Sequence, residues 1–296
     1  MLPLFDENPT DRTPFVTWIL IVASIGLFLA ANAGFGVTPT NMTVDDEVRR
    51  LPDDLQFSLE YAAIPCEIIE QRPLQVSEVA DTYFLTGDPR SCDPSADDGA
   101  LFDDKLVRLA TVSSIFLHAG AFHLGLNMLF LWVFGNNVED RLGRSGFLAF
   151  YLVAGVVSTV AYVAFQPAGT VPIIGASGAV AGIMGAYLVW YPDAPIRTLL
   201  FLILVDIRAR WFLLAWFVIQ FFTSTGPGAW IAHVAGFIFG VIAGRIVRKV
   251  QPRLRQLRQR PSQRTPAWDE TGGAGHGPYP HLDEVWNEPH HDHYHP

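Results

Sequence analysis

Four side chains stand where their types are costly and their chemistry is useful. Ser177, His233, His123 and Asn127 each fall near the start of a long apolar run. Ionisable or strongly polar groups at membrane depth are expensive, and by default they mark function. His118 and Gln220 complete the set. A serine hydroxyl is a weak nucleophile until a base within about 2.6–3.2 Å takes its proton. A neutral imidazole suits that work, so Ser177 is the candidate nucleophile and His233 the candidate general base. Attack on a carbonyl develops an oxyanion, which needs donors aimed at it. His123, the Asn127 amide and the Ser177 backbone N–H at a helix start are candidate donors. No acidic residue lies inside an apolar run to orient His233, so the pair reads as a dyad. His118 reads as structural or loop-facing, and Gln220 as a packing or cavity contact.

The elements that would bring these residues together are apolar stretches. Half of the 296 residues are hydrophobic, with a mean hydropathy of +0.26. Crossing about 30 Å of hydrocarbon takes roughly 20 apolar residues. Six stretches approach that: about Phe15–Ala33, Phe122–Phe134 (with Ile115–Leu117 as a candidate extension), Phe147–Phe165, Ile173–Trp190, Trp211–Thr223 and Ala229–Val247. An apolar helix at Ile196–Val205 is expected ahead of the fifth. The pattern predicts an all-α polytopic membrane protein. Residues 1–14 read as a cytoplasmic segment and 15–250 as a six-span membrane domain with a long acidic external loop at about 34–113. Residues 251–296 read as a disordered Arg/Pro/His-rich tail.

Spacing sharpens the convergence. In six alternating spans, the second, fourth and sixth run in one direction, so His123, Asn127, Ser177 and His233 fall at one depth. His123 and Asn127 are four apart and share a helix face. Gly236, Gly240 and Gly244 follow His233 as a stripe; Ser177, Ala181 and Gly185 form another, joined by Gly178 and Gly182. Small residues let helix backbones approach closely in lipid, and stripe-to-stripe packing would set Ser177 against His233.

The net charge of -9 is unevenly spread. Positive-inside logic puts the basic run from Arg245 to Arg260 in the cytoplasm and the acidic loop outside; nothing in it points to nucleic acid. Arginine far outnumbers lysine, present only as Lys105 and Lys249. That bias points to a G+C-rich, prokaryotic source and a plasma membrane. Cys66 and Cys92 both lie in the acidic region, either as a disulfide or as two free thiols. The tail histidines read as solvated, with weak metal binding the alternative.

The strings His118-Ala-Gly-Ala-Phe-His123-Leu-Gly-Leu-Asn127, Gly175-Ala-Ser177-Gly178 and Ala232-His233-Val-Ala-Gly236-Phe-Ile-Phe-Gly240 resemble the rhomboid intramembrane serine proteases over about Pro14–Val250. The resemblance implies a six-helix bundle with a Ser177–His233 dyad and an oxyanion site that includes His123 and Asn127. It implies structural roles for Gly175, Gly178, Gly236 and Gly240, and for Glu139 and Arg141 in a loop after the second helix. No metal or cofactor is implied. The substrates would be membrane proteins with a single span, cut near the outer face. This chain departs from the family pattern at Val107-Arg108, where Trp-Arg is frequent, and at Ala181, where some members stack an aromatic on the histidine. The alternatives are a catalytically inactive relative that binds membrane clients, and a small transporter, for which no internal repeat is visible.

Overall fold

The computed structural model describes residues 1–33, 51–223 and 228–259, with the backbone alone for residue 223 and residues 251–259. Met1–Val250 form one compact unit and Gln251–Pro296 a second. Of the second, only helical backbone at 251–259 is described; the remaining tail and residues 34–50 of the acidic loop lie outside the described residues.

The described chain is mostly helical. Its helices are α1 (Phe15–Asn32), α2 (Asp53–Tyr61), α3 (Pro65–Glu70), α4 (Val76–Ala80), α5 (Val107–Ser113), α6 (Ala121–Leu142), α7 (Arg144–Phe165), α8 (Ser177–Trp190), α9 (Ala209–Thr223) and α10 (Ala229–Gln259). Three are long and apolar enough to cross a membrane: α1, α7 and the Ala229–Val250 part of α10. Residues Val107–Phe116 with α6 make a fourth if counted as one span bent by 78°. The α8 and α9 helices, at 14 and 15 residues, are shorter. At 1.5 Å per residue, α8 covers only about 21 Å.

The α1 helix shows why these surfaces suit lipid. Its buried side chains are Thr17, Leu20, Ser24 and Ala31, while Ile19, Val22, Ile25 and Leu29 are exposed. Leu20 apart, the side chains facing protein are small or polar, while branched apolar ones face outward. An apolar patch of that kind marks a membrane contact.

Three expected boundaries move. Ile115–Leu117 does not lengthen α6, because the chain turns there through a short 3-10 segment and an extended Leu117. The α6 helix instead runs on to Leu142, so Glu139 and Arg141 lie on it and not in a following loop. The expected fourth span loses Ile173–Ala176, since Gly175 has φ +127° and breaks the helix.

The expected helix at Ile196–Val205 is a β-hairpin. Strands β2 (Pro195–Leu200) and β3 (Ile203–Arg208) pair antiparallel, and β1 (Leu2–Asp6) pairs with the other edge of β2. A short apolar run reads equally as helix or strand by periodicity. Here the N-terminal segment supplies the hydrogen-bonding partner that selects the strand. The hairpin turn, Phe201-Leu202, takes φ +47° and +72°, the left-handed geometry that two-residue hairpins demand.

The described part of the acidic loop, α2 to α5, has its own core of Leu51, Leu59, Ile64, Cys66, Leu74, Val79, Leu101 and Phe102. Cys66 and Cys92 form a disulfide with Cα atoms 5.7 Å apart, across 26 positions. In the chain-entropy account such a closure stabilises by about 3.5 kcal/mol. Lys105 and Glu67 form an ion pair at the bottom of this core, 1% and 2% exposed. Burial pushes the Lys105 ammonium down and the Glu67 carboxyl up from their ordinary values, and their attraction opposes both shifts. Removing one partner strands the other. We expect Lys105→Met to destabilise the chain by about 3–5 kcal/mol. Lys105→Met with Glu67→Leu should recover most of that, as read by thermal unfolding in detergent. A single variant as stable as wild type would show that the pair is not buried as a unit.

Candidate active site

The loop that leads into α8 is held from both sides. Ile173 N–H donates to Ala63 O at 2.8 Å and Gly175 N–H to Ser114 O at 3.0 Å. Ser114 Oγ in turn accepts from Ala63 N–H at 2.6 Å. The folded acidic loop therefore braces the residues just ahead of the nucleophile. Gly175 is required twice over. Its φ is positive, and a Cβ there would stand 2.9 Å from His123 Cε1 and 3.0 Å from His123 Nε2.

Ser177 opens α8, in the first turn, where backbone N–H groups have no intrahelical acceptor. The glycine stripes interlock as the spacing predicts. A Cβ on Gly236 would stand 2.1 Å from Gly178 O, and one on Gly240 1.9 Å from Gly182 O. A Cβ on Gly178 would meet Ser158 Cβ at 2.4 Å, so α7 closes the same seam. With main chain against main chain, His233 Nε2 comes within 2.8 Å of Ser177 Oγ.

The α6 residues complete the ring. Asn127 donates one amide hydrogen to His123 O at 3.0 Å, which leaves its second N–H for another acceptor. His118 is buried and does not face the cavity chemistry. Its Nδ1 lies 3.2 Å from Phe116 O, and Ala176 N–H points at its Nε2 at 3.4 Å. A ring that donates at Nδ1 and accepts at Nε2 satisfies both contacts and pins the turn before Ser177. The structural reading of His118 fits this place.

Ser177, His233, His123, Asn127 and Gln220 line one cavity of about 330 Å³. Phe130, Met184, Phe212 and Trp216 form part of its apolar wall, and Met1 and Leu2 from the N-terminal segment also reach it. All five polar residues singled out at membrane depth, His118 aside, thus meet in one place. Glu139 and Arg141 stand apart from it. The Glu139 carboxylate accepts Val16 N–H at 2.9 Å and Thr17 N–H and Oγ1–H at 2.8 Å each, capping the start of α1. The Arg141 guanidinium lies 4.9 Å from the Trp190 ring centre.

Two contacts escape sequence reasoning. Gln220 Oε1 lies 2.7 Å from His233 Nδ1. The Trp216 ring, one turn earlier on α9, lies 6.2 Å from the His233 ring, tilted by 42°. Ala181 offers no aromatic, and an aromatic reaches the histidine from α9 instead. The sequence signal is limited to spacing: positions 216 and 220 are four apart and share a helix face, which pairs them with each other and not with His233.

Comparison with known proteins places this architecture. A Rhomboid domain model matches residues 103–250, half of the chain. Rhomboid protein 1, mitochondrial, of Saccharomyces cerevisiae is 33% identical over 159 residues, covering 51% of this chain and 45% of that protein. Presenilin-associated rhomboid-like protein, mitochondrial, of Homo sapiens is 33% identical over 135 residues, covering 43% of this chain and 35% of the relative. Rhomboid protease GluP of Bacillus subtilis is 43% identical over 77 residues, 26% of this chain and 15% of that one. The chain thus matches less than half the length of each of these relatives.

Proposed function

The chain belongs to the rhomboid family, and on that premise we propose that it is an intramembrane serine endopeptidase acting through a Ser177–His233 dyad. The observation that carries the reading is the 2.8 Å contact between His233 Nε2 and Ser177 Oγ at the edge of a cavity. His233 takes the serine proton as Oγ attacks the scissile carbonyl. The tetrahedral oxyanion draws on the free N–H of Asn127, the His123 ring and the Ser177 backbone N–H. Ala176 N–H is not among these donors, because it is turned toward His118. The tetrahedral intermediate collapses, the C–N bond breaks, and His233 returns its proton to the leaving amine. A water then attacks the acyl-enzyme carbonyl as His233 takes its proton, the bond to Ser177 Oγ breaks to release the new carboxylic acid, and His233 returns the proton to Oγ.

The fold fits six spans, with the short α8 and α9 completing the set. A helix need not cross the whole bilayer where its end is buried in protein and lines a wet cavity. Positive-inside logic then sets both termini in the cytoplasm and the Ser177 end of the cavity toward the outer face, with Met1 and Leu2 reaching it from the other side. The substrates are single-span membrane proteins whose helix is weak near the cut, since an intact helix hides its carbonyls. The proposed prokaryotic plasma membrane rests on composition alone. The mitochondrial address in two relatives' names belongs to those proteins.

The test is cleavage of a model single-span substrate by purified protein in liposomes, with the cut mapped by mass spectrometry. We expect a cut at or near the span, slowed when Gly or Pro there is replaced by Leu. Binding without cleavage would support the inactive, client-binding alternative and overturn the peptidase reading.

A further inference from the structure

We propose that Gln220 is the positioning residue of the dyad: it holds the His233 ring in the tautomer that leaves Nε2 bare toward Ser177. The inference rests on the peptidase reading. A neutral imidazole carries one N–H, so a ring that is to take a proton at Nε2 must carry its own at Nδ1, and that N–H needs an acceptor. The atom it meets is Gln220 Oε1, at 2.7 Å.

The amide's other end decides which of its atoms faces the ring. Gln220 Nε2 donates to Trp216 O at 3.1 Å, one turn back on α9. Turning the amide over would set its oxygen against a carbonyl oxygen and lose that bond. The network therefore fixes the oxygen toward His233. A carbonyl oxygen only accepts, so Nδ1 must donate. Nε2 then has its lone pair free for the Ser177 hydroxyl, 2.8 Å away.

The surroundings explain why an amide stands here. Gln220 is 8% exposed, and among the described residues no carboxylate lines the cavity. A buried carboxylate at membrane depth is costly unless paired and fully hydrogen-bonded; a neutral amide orients the ring without that cost. Trp216 flanks the ring from the same helix. The α9 helix therefore positions the base by two residues one turn apart, with Ala181 on α8 leaving that role open.

The experiment compares wild type, Gln220→Leu and Gln220→Glu with two readouts. One is kcat and KM on the single-span substrate. The other is the His233 protonation site, from ¹⁵N shifts of selectively labelled histidine in micelles. We expect wild type to show Nδ1–H. Gln220→Leu should lose about 10²-fold in kcat, with KM within about twofold, and show mixed tautomers. Gln220→Glu, which restores an acceptor, should recover most of kcat. Two results would overturn the positioning role: Gln220→Leu with kcat within twofold of wild type, or lost activity with Nδ1–H unchanged. A wild type that turns over no substrate would instead overturn the peptidase reading, whatever the tautomer shows.

Discussion

Ser177→Ala should reduce cleavage to background, a loss of about 10⁶-fold in kcat, and His233→Ala should lose about as much. The two act as a unit at 2.8 Å, so the double variant should be no worse than either single one. Loss of nucleophile or base leaves only binding and oxyanion donors to speed the reaction. His123→Ala and Asn127→Ala should cost about 10²–10³ each, because each removes one donor and leaves the dyad in place. The ordering is informative. If His123→Ala were as damaging as Ser177→Ala, the cause would be collapse of the turn that His123 packs against at Gly175, and thermal unfolding would reveal it. Turnover by Ser177→Ala equal to wild type would place the chemistry elsewhere.

The second large effect is on folding. Gly240→Leu should prevent α8 and α10 from packing, at a cost above about 4 kcal/mol. A Cβ there would stand 1.9 Å from Gly182 O and 2.9 Å from Gly182 Cα. These are main-chain atoms, and no rotamer change relieves the overlap. Since this seam sets His233 against Ser177, activity should vanish together with stability. Two substitutions serve as controls. Gly244→Ala meets Ala186 Cα at 3.2 Å and should be mildly destabilising. Gly26→Ala meets nothing among the described residues within 4 Å and should be neutral or slightly stabilising, by up to about 1 kcal/mol. The melting temperature in detergent reads all three. A Gly240→Leu protein as stable as wild type would mean that the two helices do not meet along this stripe.

The candidate site was legible in the sequence because its geometry is local on each helix. His123 and Asn127 are four apart, the glycines recur at three and four, and both patterns survive into the packed structure. The hairpin at residues 195–208 was not legible, since its strand partner, β1, lies nearly 200 positions away and the apolar run carries no period of its own. The length of α6 was hidden for a different reason. Its polar end, Asn137 and Glu139, looked like a loop until Asp6 and the start of α1 supplied their partners. Gln220 was visible as a polar residue out of place. Its contact with His233 was not, because α9 brings it in from a helix that carries no matching motif. The disulfide stood open because two cysteines in one loop pair or stay apart according to that loop's fold, which hangs on a small core from Leu51 to Phe102.

The most direct test of the dyad is covalent. A fluorophosphonate probe phosphonylates a serine only where a base activates the hydroxyl, so it reads the Ser177–His233 contact without any substrate. The protein in mild detergent would be treated with the probe, digested and mapped by mass spectrometry, with His233→Ala treated in parallel. The account predicts a single adduct on Ser177 in wild type and none in His233→Ala. An unlabelled Ser177 in folded wild type, or equal labelling in both proteins, would contradict it.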